Sequence, residues 1–169
     1  ILLGESQEEI HWFGWEGVEN HRAAVSLPGG VVIAGRTWSQ GAPPRAWLFR
    51  VDWKGRPVWS HFFAGKTNQV ANALCTQPAG GLVVAIETMY PEKPQTRLVG
   101  VDDRGEEQWT TPYQDLSDPQ VACGPSGAVF FSGSFDPSPP DRQTNKTWRV
   151  RVERLEPEGR IVWSREFRG

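Results

Sequence analysis

The three histidines, His11, His21 and His61, are the side chains best suited to acid–base chemistry near neutral pH. His11 and His61 stand beside tryptophans in similar local contexts, His11-Trp12 and Trp59-Ser60-His61, which predicts a structural role for both. No G-x-S-x-G, H-E-x-x-H, Walker or Rossmann glycine pattern occurs. The acids Asp52, Asp102, Asp103 and Glu156 are spaced as turn residues, not clustered as the oxygen ligands of calcium. Cys75 and Cys123 are too few for a metal site and lack C-x-x-C spacing, and their apolar contexts predict buried free thiols rather than a disulfide. The chemistry-bearing residues therefore assign no catalytic group, metal or cofactor, and binding is the expected role.

What the sequence does carry is a repeat. Val51-Asp52-Trp53-Lys54-Gly55-Arg56-Pro57-Val58-Trp59, Val101-Asp102-Asp103-Arg104-Gly105-Glu106-Glu107-Gln108-Trp109 and Leu155-Glu156-Pro157-Glu158-Gly159-Arg160-Ile161-Val162-Trp163 align without gaps, at periods of 50 and 54 residues. Each reads apolar, acid, two spacers, Gly, three residues, Trp. A glycine turn feeding an apolar run precedes each one: Gly29-Gly30-Val31-Val32-Ile33-Ala34, Gly80-Gly81-Leu82-Val83-Val84-Ala85 and Ser126-Gly127-Ala128-Val129-Phe130-Phe131. Each unit then predicts four strands, placed in the first unit at about 22–27, 30–35, 46–52 and 57–63. The acid-x-x-Gly segment is the third turn of the unit, with the acid bonding nearby amides and Gly supplying positive φ. Gly or Pro interrupts almost every ten-residue window, which excludes long helices.

Units of about 40–50 residues with four strands and one recurrent Trp are the pattern of propeller blades. The D-x-x-G-x-x-x-W element with its Gly-Gly-apolar strand resembles the bacterial β-propeller repeats of the PQQ-like and delta-sixty type, over nearly the whole chain. That resemblance implies an all-β fold of about three four-stranded antiparallel blades, with units near 18–65, 66–115 and 116–169. It also implies packing between blades for Trp59, Trp109 and Trp163. A quinone cofactor belongs to the full-length enzymes of that type, and no counterpart of its ligands is identifiable here.

Composition bounds the rest. A net charge of -2, 38% hydrophobic and 22% charged residues point neither to disorder nor to nucleic acid. No apolar run approaches the ~18 residues of a membrane-spanning helix. The chain starts Ile1-Leu2-Leu3-Gly4 without a Met, so a removed leader stays open, and an extracytoplasmic compartment is favoured.

Three blades leave two open sheet edges, which predicts an incomplete or assembled propeller. Residues 9–17 resemble the fourth strand Val58 to Gly65, so blade boundaries are offset from chain boundaries. A longer propeller, a second copy completing six blades, or docking on a different protein would each close the edges. The variable connections between second and third strands (Arg36 to Arg45, Glu87 to Gln95, Gly133 to Lys146) and between units (Trp15 to His21, Ala64 to Gln69, Pro112 to Pro119) are expected on one rim. That places Trp15, His21, Trp38, Arg45, Lys66, Asn68, Tyr90, Asp115, Asp118 and Arg142 as partner-binding candidates. The Pro-rich loop from Phe135 to Asp141 reads as a stiff surface feature. The functional expectation is a non-catalytic scaffold or binding subunit for a protein or glycan. The alternatives are a fragment of a larger propeller enzyme, or a sugar-binding lectin using Trp15, Trp38 and Tyr90 as stacking platforms.

Overall fold

In a computed structural model of the chain, residues 18–38, 41–65, 68–89, 94–137 and 148–168 are described. Among them every regular element is a strand, and the strands form three four-stranded antiparallel sheets. The first contains β1 (Val18–Leu27), β2 (Gly30–Trp38), β3 (Arg45–Asp52) and β4 (Pro57–Phe62). The second contains β5 (Gln69–Thr76), β6 (Leu82–Thr88), β7 (Gln95–Val101) and β8 (Glu107–Gln114). The third contains β9 (Ser117–Cys123), β10 (Val129–Phe135), β11 (Arg149–Leu155) and β12 (Ile161–Arg168). Each sheet is a meander in chain order.

The sheets stack face to face. β5 packs across β1, β2 and β3, and β9 packs across β5, β6 and β7. The second sheet is thus covered on both faces, which is why Leu82-Val83-Val84-Ala85-Ile86 is an unbroken apolar run rather than an alternating one. Leu82, Val84 and Ile86 join Val32, Leu48 and Phe63 in one core; Val83, Ala85 and Leu98 join Val129, Phe131 and Leu155 in the other. The last strand of each sheet lies at an exposed edge, β12 almost entirely so.

The repeat motif has one geometry three times. The peptide N–H of Asp52 donates to Arg56 O at 2.9 Å, that of Asp102 to Glu106 O at 3.0 Å and that of Glu156 to Arg160 O at 2.9 Å. Gly55, Gly105 and Gly159 hold φ of 74, 89 and 84°, a region costly to other residues. Asp52 Oδ1 accepts from the N–H groups of Lys54 and Arg56 at 2.8 and 2.9 Å, and Asp102 Oδ1 from Arg104 and Glu106 at 2.9 Å each. Glu156, one methylene longer, instead pairs with the Arg160 guanidinium.

Two of the three motif tryptophans, Trp59 and Trp109, reach the turn of the following unit. Trp59 Nε1 donates to Asp103 O at 3.0 Å, and a Cβ on Gly105 would lie 3.0 Å from the Trp59 ring. Trp109 lies over Gly159 in the same way, where a Cβ would overlap the indole, and Thr111 Oγ1 donates to Gly159 O at 2.8 Å. Gly105 and Gly159 therefore have two duties: each closes its own hairpin and is the floor for the preceding unit's indole.

Two expectations need correction. Cys75 and Cys123 are joined as a disulfide, with Cα atoms 5.6 Å apart, and they tie the second sheet to the third. Each falls in an apolar context because each faces the interface between those sheets. The connections are also shorter than the sequence spacing suggests. β2 runs on through Arg36 to Trp38, β6 through Thr88 and β10 through Phe135, while β8 and β9 are separated only by Asp115 and Leu116. Inter-strand pairing continues past the apolar runs, which end before the hydrogen-bonded ladder does.

Candidate functional site

The first strand of each sheet carries a register shift near its start, between His21 and Ala23 in β1 and between Ala71 and Ala73 in β5. In the third sheet the shift falls between Ser132 and Ser134, where Gln120 and Ser117 of β9 are their partners. A bulge adds one residue to its strand and re-aims that side chain. The extra residues are Arg22 and Asn72, and Asp118 lies in the corresponding stretch of β9. Because the first strands of neighbouring sheets lie against one another, these bulges converge.

Glu87 of β6 is at the middle of the convergence. Its Oε2 accepts from Asn72 Nδ2 at 2.5 Å, and it takes the peptide N–H of Asp118. Burial pushes its pKa above the ordinary glutamate range and the Asp118 carboxylate adds to the rise; the two hydrogen bonds and the Arg22 guanidinium oppose it. Asp118 and Asp115 hold φ of 50 and 59°, which Asp tolerates better than most residues. One polar cluster thus draws Arg22 from the first sheet, Asn72 and Glu87 from the second and Asp118 from the third.

Of the residues singled out from sequence, His21, Trp38 and Asp118 lie within strands rather than loops, and Arg45 opens β3. Asp118 joins the cluster and His21 is the exposed neighbour of Arg22. The Arg36 guanidinium sits 5.1 Å over the Trp38 ring, and that of Arg45 sits 5.5 Å from the Phe62 ring. Asn68 precedes β5; its carbonyl accepts from Met89 N–H at 2.8 Å, and Arg36 Nη1 lies 3.1 Å from Met89 Sδ. Among the described residues, Asn20 Oδ1, Asn68 Oδ1 and Gln69 Oε1 are buried with no donor in reach. Asp115 forms the short connection between β8 and β9. Trp15, Lys66, Tyr90 and Arg142 lie outside the described residues, as do 9–17 and most of the Pro-rich loop.

Sequence reasoning missed Arg22, Asn72 and Glu87. Arg22 and Asn72 are single polar residues in otherwise ordinary strands, and a bulge leaves no mark in a period-two pattern. Glu87 had one signal, the only carboxylate ending an otherwise apolar buried run.

Two further polar pairs lie between sheets. Tyr113 Oη donates to the buried Glu153 Oε2 at 2.8 Å, and its ring stacks on Phe131 at 4.5 Å. Burial first, and then the hydrogen bond to Glu153, push the phenol pKa far above its ordinary value. His61 Nε2 lies 3.3 Å from Glu107 Oε1, and its ring meets Phe63 edge-on at 4.7 Å, a bridge between the first sheet and the second. Among the described residues no group of three or more His, Cys, Asp or Glu is placed to hold a metal, and no helix is long and apolar enough to cross a membrane. Compared with known proteins, the chain matches no family model and no curated sequence.

Proposed function

We propose that the three sheets are successive blades of a β-propeller and that the chain is a non-catalytic binding subunit. It would hold a protein partner at the end of the blades where Arg22, Asn72, Glu87 and Asp118 meet. The blade reading rests on the face-to-face stacking of sheets, with the first strand of each at the interface, and on the repeated seating of Trp59 and Trp109 on the next unit's turn. The single observation that carries the site is the convergence of side chains from three separate sheets, two of them on strand bulges. A cation, an amide and two carboxylates at one place offer both donors and acceptors, and rigid sheets fix them in advance. Arg36, Trp38, Arg45 and Phe62 supply the aromatic and guanidinium groups that protein interfaces favour.

A glycan partner is the weaker reading, because one face of the Trp38 indole is already taken by Arg36. A fragment of a larger enzyme is weaker still, since the clustered groups include no nucleophile paired with a base. The disulfide supports an oxidising, extracytoplasmic compartment.

The test compares the immobilised chain with an Asn72→Ala/Asp118→Ala variant and a Lys54→Ala control, identifying captured proteins by mass. A defined protein retained by the control and lost by the double variant supports the reading. Glycan-array binding abolished by Trp38→Ala would replace it with the sugar-binding reading, and substrate turnover by this chain alone would overturn it.

A further inference from the structure

The two contacts between sheets differ in charge, and the difference is matched on both sides of each. In the first sheet Arg50, Trp59, His61 and Phe63 face the second sheet. Arg50 Nη1 and Trp59 Nε1 both donate to Asp103 O, at 2.9 and 3.0 Å, and His61 Nε2 lies 3.3 Å from Glu107 Oε1. In the second sheet Gly100 stands in the place of Arg50 and Thr111 in that of His61, and the third unit that receives this face has Ile161 where the second unit has Glu107. A face with basic side chains at both positions meets a carboxylate; a face without them meets an aliphatic side chain there.

The outer face of the third sheet is of the first kind. Its rows are Ala122–Phe130–Arg154–Trp163, Gln120–Ser132–Val152–Arg165 and Ser117–Ser134–Val150–Phe167. Arg154 and Trp163 stand where Arg50 and Trp59 do, Arg165 takes the place of His61, and Phe167 that of Phe63. These rows hold two arginines and no carboxylate. Among the described residues neither the Arg154 guanidinium nor the Trp163 indole N–H has a hydrogen-bond partner. Phe63 is 0% exposed beneath the second sheet, whereas Phe130, Val150 and Phe167 are 40%, 42% and 56% exposed.

The described units of this chain do not supply the complement. The Asp102–Glu107 turn of the second unit already receives the first sheet. The first unit has Pro57 in the place of Glu107, and its corresponding face is closed by Trp47 and Phe49, each 5% exposed. The third unit has Ile161. We infer that the outer face of the third sheet docks a partner's four-stranded unit of the same repeat, one with a carboxylate two residues after its turn glycine. Arg165 meets that carboxylate as His61 meets Glu107, and Arg154 and Trp163 share a carbonyl of the turn as Arg50 and Trp59 share that of Asp103. Matched charge selects this unit over one with an aliphatic side chain at the position. The inference rests on the blade reading given above.

The probe is a copy of residues 66–115, which carries Glu107, joined directly after Gly169 of the full chain; Phe167-Arg168-Gly169 matches Phe63-Ala64-Gly65, the natural lead into residue 66. Cys75→Ser within the copy leaves the native disulfide without a competitor. Hydrogen exchange at the β10 and β11 amides is expected to slow about tenfold or more relative to the unextended chain, while that at β2 and β3 stays as it was. Arg165→Glu, at an exposed position, or Glu107→Arg within the copy is each expected to remove most of this protection, and the two together to restore it. Protection indifferent to these charge reversals would overturn the carboxylate assignment and leave the blade reading standing. No protection in any form would overturn both, with partner capture at the Asn72 and Asp118 cluster judged by its own experiment. Light scattering of the unextended chain is expected at 18.9 kDa, and a pair dissolved by Arg165→Glu would give this face to a second copy and overturn the proposal.

Discussion

Glu87 and Tyr113 show how single polar groups are held in a fold otherwise closed by apolar sheets. Burial lifts the Glu87 pKa above its unfolded value, so between the ordinary 4.5 and the folded pKa the native chain binds more protons than the unfolded one. Stability falls as pH rises through that window and is lowest, as far as this residue is concerned, above it. Glu87→Gln removes the titrating group while keeping one acceptor oxygen, so it should flatten this dependence; thermal unfolding followed over the acidic to neutral range checks it. Tyr113→Phe removes the hydroxyl that serves buried Glu153 and should cost about 1–3 kcal/mol, read as a lowered urea midpoint with an unchanged slope. Neither residue's partner was legible in the sequence, because Asn72, Asp118 and Glu153 come from different strands whose relative placement depends on register.

At the scale of the strand and turn, the sequence was more informative. The Gly-Gly-apolar run and the acid-x-x-Gly turn fix β2, β6, β10 and the hairpins that follow, because both signals are local: an Asp oxygen reaches amides two and four residues on, and only Gly enters positive φ without strain. The bulges at Arg22 and Asn72 were not legible, since an extra residue in a strand alters pairing without altering composition. The two roles of the turn glycine make a clean comparison. Gly80→Ala meets no atom within 4 Å and suffers only the strain of φ +96°, so it should cost about 1 kcal/mol. Gly159→Ala adds overlap with the Trp109 ring to the same strain and should cost clearly more, with a shift in Trp fluorescence that Gly80→Ala does not produce.

At the scale of the molecule, stability is a sum of sheets and of contacts between neighbours, as in other stacked repeats. The β6 amides, covered on both sides, should exchange hydrogen most slowly and those of β12 fastest. Reducing the Cys75–Cys123 bond should lower stability by about 2–4 kcal/mol, measured as the difference in urea unfolding with and without reductant. The free-thiol expectation failed at this scale for a definite reason: a separation of 48 residues says nothing of adjacency until the sheets are stacked. That separation also bears on the making of the chain. Every strand pairs with its neighbours in sequence, so the first and second sheets can be complete while the third is still being synthesised. Cys75 must then wait as a thiol on an uncovered apolar surface until Cys123 arrives, open in that interval to capture by any other sulfur it meets. Yield of correctly folded chain, not folded stability, is where a Cys75→Ala/Cys123→Ala variant would gain.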